Sequence, residues 1–299
     1  MFIKPRTAFV GIAVVALIGL VVFLMSDTGV MSNAFQKITG QFVDKSESLI
    51  SDVGSIGDGT GGSGESGGSG SGSELPDAGV NTETGEITDT WEQIQQAIEE
   101  GVYATRYATG NYKSITIDGY GDVVMEIVAF NADTKADGST AAISWVSRGI
   151  ITTHVMNSTS TNANGWEASE MRSWLQSEVY NALPADVKAA IVSVNKTYYD
   201  KTTGETKTCT DKVWIPSAGE IFGNSNDTDG CEASGADYTA YFNSTSARIK
   251  YNSSGTAAIW WLRSANSHGS NAFRSVNGSG TIRNNIANTT YGVVLGFCM

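Results

Sequence analysis

The C-terminal stretch, residues 259–299, reads IWWLRSANSHGSNAFRSVNGSGTIRNNIANTTYGVVLGFCM. Apolar residues recur through it, and burying a Phe or Leu side chain is worth about 1.5–3 kcal/mol, so the fold should fix them. The residues between them are mostly small and polar, and they can change without loss of packing. We therefore predict short strands, starting with Trp260-Trp261-Leu262, whose inward side chains enter a core. The inward residues of the tail are predicted to be Phe273, Val276, Ile282, Ala287, Leu295 and Phe297.

This tail also lacks particular residue types. Between Ala265 and Cys298, 34 residues, there is no Lys, Glu, Gln, Met or Trp, although these types make up 32 of the 177 residues from Thr88 to Ser264. About six would be expected by that proportion. The codons of all five types never end in a pyrimidine. A segment whose asparagine codons had been randomised at their adenines would show this deficit, and the alternative is an ordinary Asn/Ser-rich surface loop.

Charge and composition limit the classes of partner and chemistry. The chain has 299 residues and a net charge of −12, with 40% hydrophobic and 17% charged residues. This acidity argues against nucleic acid or an anionic membrane surface as the main partner. Two histidines and three cysteines leave little material for a catalytic or metal centre.

The amino-terminal segment predicts a membrane anchor. Residues 8–25 carry no charge, and 18 residues at ~1.5 Å each give ~27 Å of helix, close to the hydrocarbon thickness of a bilayer. Lys4 and Arg6 precede the run, so residues 1–7 are predicted to be a cytoplasmic stub and the carboxyl side to be exported. A cleaved signal peptide is the alternative. The sequence thus predicts a single-pass protein of the cell membrane with an extracellular C-terminal domain.

Two further segments are predicted between the anchor and the head. Residues 26–56 contain apolar residues at helical spacing and are predicted to form an amphipathic stalk helix. Residues 57–87 are predicted to be a flexible linker, because 14 of the 17 residues from Gly57 to Ser73 are Gly or Ser. A pilin-like apolar helix is the alternative for the amino end.

Residues 88–299 are predicted to form one α+β domain. Thr90 caps a helix from Trp91 to Glu100, a second helix starts near Ala168, and a third follows Pro184. Met171, Trp174, Leu175 and Val179 are predicted to share one face of the second helix. Strands are predicted between these helices and after them. They cover 114–117, 123–130, 141–146, 212–215, 259–262, 273–276 and 293–297.

No catalytic or metal-binding pattern emerges, so the protein is predicted not to be an enzyme and to hold no cofactor or metal. Nucleophile-elbow, phosphate-loop and zinc motifs are all missing. His154 is interpreted as a structural histidine. Residues 225–230 resemble a calcium loop but lack the carboxylate six residues after the Gly, so a turn is favoured. A disulfide between Cys209 and Cys231 remains open.

Several motifs of the head occur together in one known group of proteins. They are 165–175 (GWEASEMRSWL), 213–217 (VWIPS), 220–223 (EIFG), 247–252 (ARIKYN), 260–264 (WWLRS) and 292–297 (GVVLGF). On these motifs the chain resembles variable proteins of diversity-generating retroelements, which have a C-type lectin fold in its formylglycine-generating-enzyme-like branch. The calcium motifs of lectins and the paired cysteines of the enzymatic branch are absent. The resemblance implies a C-type-lectin-like head with a variable region at about 265–298.

The resemblance implies that the variable side chains cluster on one exposed face. These residues are Asn266, Ser267, His268, Asn271, Ala272, Ser275, Ser279, Thr281, Arg283, Asn285, Ile286, Thr289, Thr290 and Tyr291. Tyr291, Arg283 and His268 are the expected anchors, since aromatic and Arg side chains carry most interface energy.

The predicted function is that of a displayed ligand-binding protein of adhesin or receptor type. Its partner would be an unknown macromolecule on another cell, a host or a phage, with the membrane engaged through residues 8–25 and no nucleic acid bound. Two alternatives remain: a pilus or filament subunit with the same head, and an exported enzyme related to formylglycine-generating enzymes.

Overall fold

The computed structural model describes residues 79–223, 232 and 234–299, and its first helix, α1 (Trp91–Glu99), starts at a capping box. The Thr90 hydroxyl accepts from the Gln93 amide, and the Gln93 side chain accepts from the Thr90 amide. These two bonds satisfy amide groups that an uncapped helix leaves without partners. The helix buries Trp91, Ile94 and Ala97 on one side, as their spacing predicted.

The first five-stranded sheet has the order β1-β2-β3-β14-β7. Its strands are β1 (Tyr112–Ile117), β2 (Gly121–Phe130), β3 (Ile143–Ser147), β7 (Val213–Trp214) and β14 (Gly296–Cys298). Each pair of neighbouring strands in this sheet is antiparallel. Strand β14, from the end of the chain, therefore lies inside the sheet between β3 and β7.

The second five-stranded sheet has the order β12-β11-β10-β13-β4. Its strands are β4 (Thr152–His154), β10 (Trp260–Ala265), β11 (Ala272–Val276), β12 (Ile282–Ile286) and β13 (Tyr291–Val293). Strand β12 is at the edge, and every residue of β11 beside it is buried. Buried residues Val294 and Leu295 connect β13 of this sheet to β14 of the first. The predicted variable tail therefore supplies strands to both sheets.

Short helices and two small hairpins complete the described part. The helices are α2 (Tyr103–Arg106), α3 (Glu170–Trp174), α4 (Tyr180–Ala182), α5 (Ala185–Ala190) and α6 (Ala218–Phe222). A π-helical turn, Leu175–Val179, joins α3 to α4, and a 3-10 turn covers Ser246–Arg248. The hairpins pair β5 (Val194–Asp200) with β6 (Glu205–Asp211) and β8 (Lys250–Tyr251) with β9 (Ala257–Ala258).

Aromatic rings hold α1 against the first sheet. The ring centroids of Trp91 and Trp145 are 5.3 Å apart, and Trp91 and Phe297 are 5.9 Å apart, both in edge-on arrangements. Trp145 and Phe297 are fully buried. Edge-to-face packing at these distances adds to the stabilisation from burial itself, so β14 and α1 depend on the same aromatic cluster.

A balanced group of charges is buried beside these sheets. Arg263 donates two hydrogen bonds to Glu220, at 2.7 and 2.8 Å. Lys196 donates to Asp133 (2.6 Å), to Glu220 (3.0 Å) and to the Tyr238 hydroxyl. Burial opposes ionisation of Glu220, but Arg263 and Lys196 outweigh it and hold its pKa below the ordinary value. Each charge here is paired, which is the condition for keeping charges inside a protein.

The prediction of an α+β class on a membrane helix and stalk is wrong. The described part is mostly β-sheet, with 34% strand against 19% helix, and its longest helix has nine residues. Strands β5, β6 and β12 lie in chain for which neither a helix nor a strand was predicted.

The predicted single-pass membrane topology is corrected as well. Among the residues that the structure describes, no helix is long and apolar enough to cross a membrane. The predicted stub (1–7), anchor (8–25) and stalk (26–56) lie outside these residues, as does the linker up to residue 78. The remaining linker residues belong to the head, since Val80 bridges to Ile87, whose side chain is buried.

Most of the predicted strands and helices are found, with shifted ends. The helix after Ala168 begins later, at Glu170, where the Ser169 hydroxyl caps it. Met171, Leu175 and Val179 are buried as predicted, but Trp174 is only half-buried. Cys209 is a buried free thiol, and Cys231 and the turn at 225–230 lie outside the described residues.

Candidate functional site

The candidate residues lie on two loops, one hairpin and the start of β13. Asn266, Ser267, His268 and Asn271 occupy the loop between β10 and β11, which we call the 266–271 loop. Thr289 and Thr290 lie in the turn after β12. The candidates on the β11–β12 hairpin are Ala272, Ser275, Ser279, Thr281, Arg283, Asn285 and Ile286. Of all these residues, Ala272 (6% exposed) and Ser275 (0%) are buried. Those two side chains are therefore corrected from exposed to core positions.

The strand register separates the two faces of the β11–β12 hairpin. Ser275 lies opposite Arg283 and Phe273 lies opposite Asn285, whereas Ala272 lies opposite Ile286. Directly opposed residues point to the same side of a sheet, and neighbours along a strand point to opposite sides. Arg283 and Asn285 therefore share a face, and Ile286 projects from the other. The expectation that all candidates share one face is wrong for Ile286.

Tyr291 is tied to the face that carries Asn285. Its hydroxyl donates to the Asn285 side-chain oxygen at 3.2 Å, and its ring packs edge-on against Trp261 at 5.1 Å. The Asn285 amide in turn donates to the Ser275 hydroxyl at 2.6 Å. Tyr291 and Asn285 thus have contacts within the protein. Within the described part of the chain, the exposed Arg283 side chain donates to the carbonyl of its neighbour Ile282.

The buried residue Asn162 holds the 266–271 loop through hydrogen bonds to its backbone. Its side-chain amide donates to the carbonyl oxygens of Asn266 (3.0 Å), Gly269 (2.9 Å) and Ala272 (2.8 Å), and its backbone amide donates to Ser270. Asn162 is fully buried. Because every bond ends on a backbone carbonyl, this clamp is independent of the side chains of the loop. Sequence reasoning missed Asn162, which no pattern marks.

The turn of the β11–β12 hairpin is also fixed by local bonds. The Asn277 side-chain oxygen accepts from the amides of Ser279 and Thr281. Gly280 has a φ of +76°, and a Cβ there would lie 2.0 Å from the Thr245 carbonyl oxygen. Only glycine fits such a position. Ser279 and Thr281 therefore stand on a turn whose shape Asn277 and Gly280 determine.

Three aromatic residues outside the tail continue the face of Tyr291. His154 lies opposite Tyr291 where β4 pairs with β13. Trp174 stacks on the His154 ring with centroids 4.3 Å apart and planes 13° apart, and Tyr120 meets Trp174 edge-on at 6.2 Å. Each of these rings is half-buried. We call Tyr120, Trp174 and His154 the aromatic row; they come from three distant segments, so the sequence alone did not associate them.

A groove of about 340 Å³ lies at the Tyr120 end of the aromatic row. The turn after β1, the loop from β3 to β4 and the turn after β8 form its walls. Arg148 lines it, but its guanidinium donates to Glu126 at 2.7 Å, so that charge is compensated. Among the lining residues are Tyr120, Asp122, Arg148, Ile150, Ile151 and Tyr251.

Two of the titratable groups in the described part are buried thiols. Burial, aided by Asp211, raises the pKa of Cys209 to about 12, and burial with Asp133 raises that of Cys298 well above its usual value. Such thiols are not reactive nucleophiles at neutral pH. His268 and His154 lie in separate segments, and no group of three or more metal-ligating side chains was found among the residues described.

Comparisons with known proteins identify one family. Its profile, described as Domain of unknown function (DUF6273), matches residues 144–299, which is more than half of the chain and includes both the 266–271 loop and the β11–β12 hairpin. No curated protein and no solved structure matches the chain.

Proposed function

The chain belongs to the DUF6273 family, and we propose that it is a ligand-binding protein of receptor or adhesin type that catalyses no reaction. Its binding face comprises the 266–271 loop, the Arg283 side of the β11–β12 hairpin, and Tyr291. We further propose that a diversity-generating retroelement varies the side chains of this face while the backbone keeps its shape.

The clamp by Asn162 is the observation that carries this proposal. Three side-chain bonds to carbonyl oxygens hold the 266–271 loop, and carbonyls are present whatever the side chains are. Side chains at His268 and Asn271 are exposed, so replacing them costs little packing. This combination of fixed backbone and free side chains is what a diversified binding loop requires.

The residue types of the tail support the same reading. Asn, Ser, Gly, Thr and Ala make up 21 of the 34 residues from Ala265 to Cys298. Ser, Gly and Asn supply adaptable hydrogen bonds in binding loops, and Tyr supplies contact area at low entropic cost. The absence of Lys, Glu, Gln, Met and Trp is the pattern expected from adenine-directed change in asparagine codons.

Deep sequencing of this gene across a population tests the proposal. We expect substitutions concentrated at exposed positions such as His268, Asn271 and Arg283, with Phe273 and Leu295 unchanged because they are fully buried. A near-copy of the coding segment and a reverse transcriptase gene should lie nearby. A uniform spread of substitutions over buried and exposed codons, with neither element nearby, would contradict diversification.

Binding itself has a separate test. A library of the full chain randomised at His268, Arg283 and Thr290 should yield binders to chosen proteins such as lysozyme, cytochrome c and β-lactoglobulin. Most members should keep the melting temperature of the parent, because these side chains are exposed. Failure to obtain any binder from a well-folded library would contradict the proposed function.

A further inference from the structure

The aromatic row is joined to the proposed binding face without a break. His154 and Tyr291 lie opposite each other in an antiparallel pair, so their side chains project to the same side of the sheet. Trp174 stacks on the His154 ring, and Tyr120 packs edge-on against Trp174. Tyr120 also lines the groove, so the row ends there. Half-buried aromatic rings of this kind keep part of their surface available to a partner.

The row lies outside the tail that shows the codon pattern. Tyr120, Trp174 and His154 all precede Ala265, where the residue-type deficit begins. Tryptophan, the residue type at position 174, does not occur between Ala265 and Cys298. If the tail varies, the row stays the same in every variant, and the surface has a constant part beside a variable part.

The helix that carries Trp174 has an unusual continuation. Helix α3 ends at Trp174, and the next residues, Leu175–Val179, form a π-helical turn. Such turns are rare and occur frequently at functional sites. Met171, Leu175 and Val179 are buried, whereas Trp174 is left half-exposed on the His154 ring.

Acidic side chains surround the groove end of the row. Asp118, Asp122 and Glu178 are exposed, and none of them forms an ion pair within the part of the chain that the structure describes. Burial raises the pKa of Tyr120, and Glu178 adds to this effect, which indicates that its charge acts on the ring. Arg148, the cation lining the groove, is compensated by Glu126.

These features fit a cationic side chain on a protein surface. Aromatic faces attract Lys and Arg side chains, and nearby carboxylates strengthen that attraction. Asp122 lies in the wall of the groove and the charge of Glu178 acts on the Tyr120 ring, so the groove end of the row is negative. A folded protein with a basic patch matches this surface in charge.

Resting on the proposed function, we propose that the aromatic row is the constant anchor of the binding face and receives a Lys or Arg side chain of a folded protein partner. The variable side chains would then select among such partners, while Trp174 contributes to binding each of them. Trp residues commonly dominate interface energetics in this way.

The test uses full-length binders selected, as above, on two basic proteins (lysozyme and cytochrome c) and one acidic protein (β-lactoglobulin). Trp174→Ala should weaken every binder to a basic protein at least tenfold, whatever its hairpin sequence. Glu178→Gln should weaken the same binders about threefold at low salt and less at high salt. Tyr180→Ala and Glu205→Gln are the matched controls, since they remove an aromatic ring and a carboxylate outside the row.

The outcomes separate this inference from the function on which it rests. If Trp174→Ala weakens the affinity of the binders less than twofold, or if Tyr180→Ala weakens it as much as Trp174→Ala does, the aromatic row is not the anchor. The proposal of a variable binding face would still stand. Absence of any binder would overturn both. Should Trp174→Ala unfold, Trp174→Phe and Tyr120→Ala replace it: the first should retain binding and the second should weaken it. A stronger dependence on Trp174 in the β-lactoglobulin binders would contradict the cationic partner.

Discussion

The 266–271 loop of the second sheet and strand β14 at the centre of the first belong to the same C-terminal segment but are held by different groups. In the loop, the buried side-chain amide of Asn162 binds three backbone carbonyl oxygens. At the centre, β14 is fixed by side chains, with Phe297 packed against Trp91 and Trp145. A region held through its backbone tolerates new side chains, and a region held through its side chains does not. Substitutions in the two regions should therefore differ sharply in cost.

The largest effect is expected where a buried charge loses its partner. Arg263→Ala removes two hydrogen bonds to Glu220 and leaves that carboxylate buried with Lys196 as its remaining cation. Breaking a buried pair in this way costs about 3–5 kcal/mol. Urea unfolding of the purified variant measures the loss. A change below about 1 kcal/mol would show that the pair of Arg263 and Glu220 does not stabilise the fold.

A pH-dependent effect of nearly this size should come from Lys250. Burial lowers its pKa to about 8 from 10.5, against a smaller opposite effect of Glu126. Between these values the unfolded chain binds more protons than the folded chain, so the free energy of unfolding should rise with pH. The shift corresponds to about 3 kcal/mol over the full window.

Comparison of the parent with Lys250→Met isolates this effect. The variant should lack the rise in stability between about pH 8 and 10.5, while exposed Lys212→Met should retain it. The other titratable groups are the same in all three proteins. The quantity to follow is therefore the difference in the free energy of unfolding between each variant and the parent, measured by urea unfolding at each pH. Parallel curves for the parent and Lys250→Met would show that Lys250 is solvated.

Asn162→Ala should cost less, about 1–3 kcal/mol, because it removes donors from three carbonyl oxygens without burying a charge. Hydrogen exchange of the loop amides should accelerate at the same time. Asn271→Ala is the control, since Asn271 is exposed on the same loop. Equal exchange in both variants would mean that the loop is held by its own side chains rather than by Asn162.

The smallest effects are expected for the exposed candidates. Arg283→Ala and His268→Ala should each change the free energy of unfolding by less than about 0.5 kcal/mol, because both side chains are exposed. Tyr291→Ala should cost more, since its ring packs on Trp261. Thermal melting ranks the three. A large drop for Arg283→Ala would identify it as structural.

Local interactions explain which elements were predictable. The helix α1 was placed within one residue because its cap lies between Thr90 and Gln93, three positions apart. The β5–β6 hairpin was missed because β5 buries Lys196, and only Asp133 and Glu220, far away in sequence, make that burial possible. Strand β12 was missed because its residues are mostly polar and show no strand pattern. It becomes a strand through its pairing with β11.

The candidate site shows the same division. Exposure of His268, Asn271 and Arg283 followed from residue type, because small polar and charged side chains rarely enter a core. Burial of Ser275 did not follow, since it depends on the hydrogen bond from Asn285 and on strand pairing. The aromatic row was beyond reach, because its members meet only after both sheets have formed.

Because β14 follows the β11–β12 hairpin in the chain, the head can fold only if the hairpin codons keep the reading frame. A one-nucleotide slip while the hairpin codons are copied would replace Gly296–Cys298, and the first sheet would lose the strand between β3 and β7. Such a product would leave Trp91 and Trp145 without Phe297. Misfolded chains of this kind are substrates for cellular proteases. If the tail is diversified as we propose, frameshifted copies would be degraded and in-frame variants would be kept.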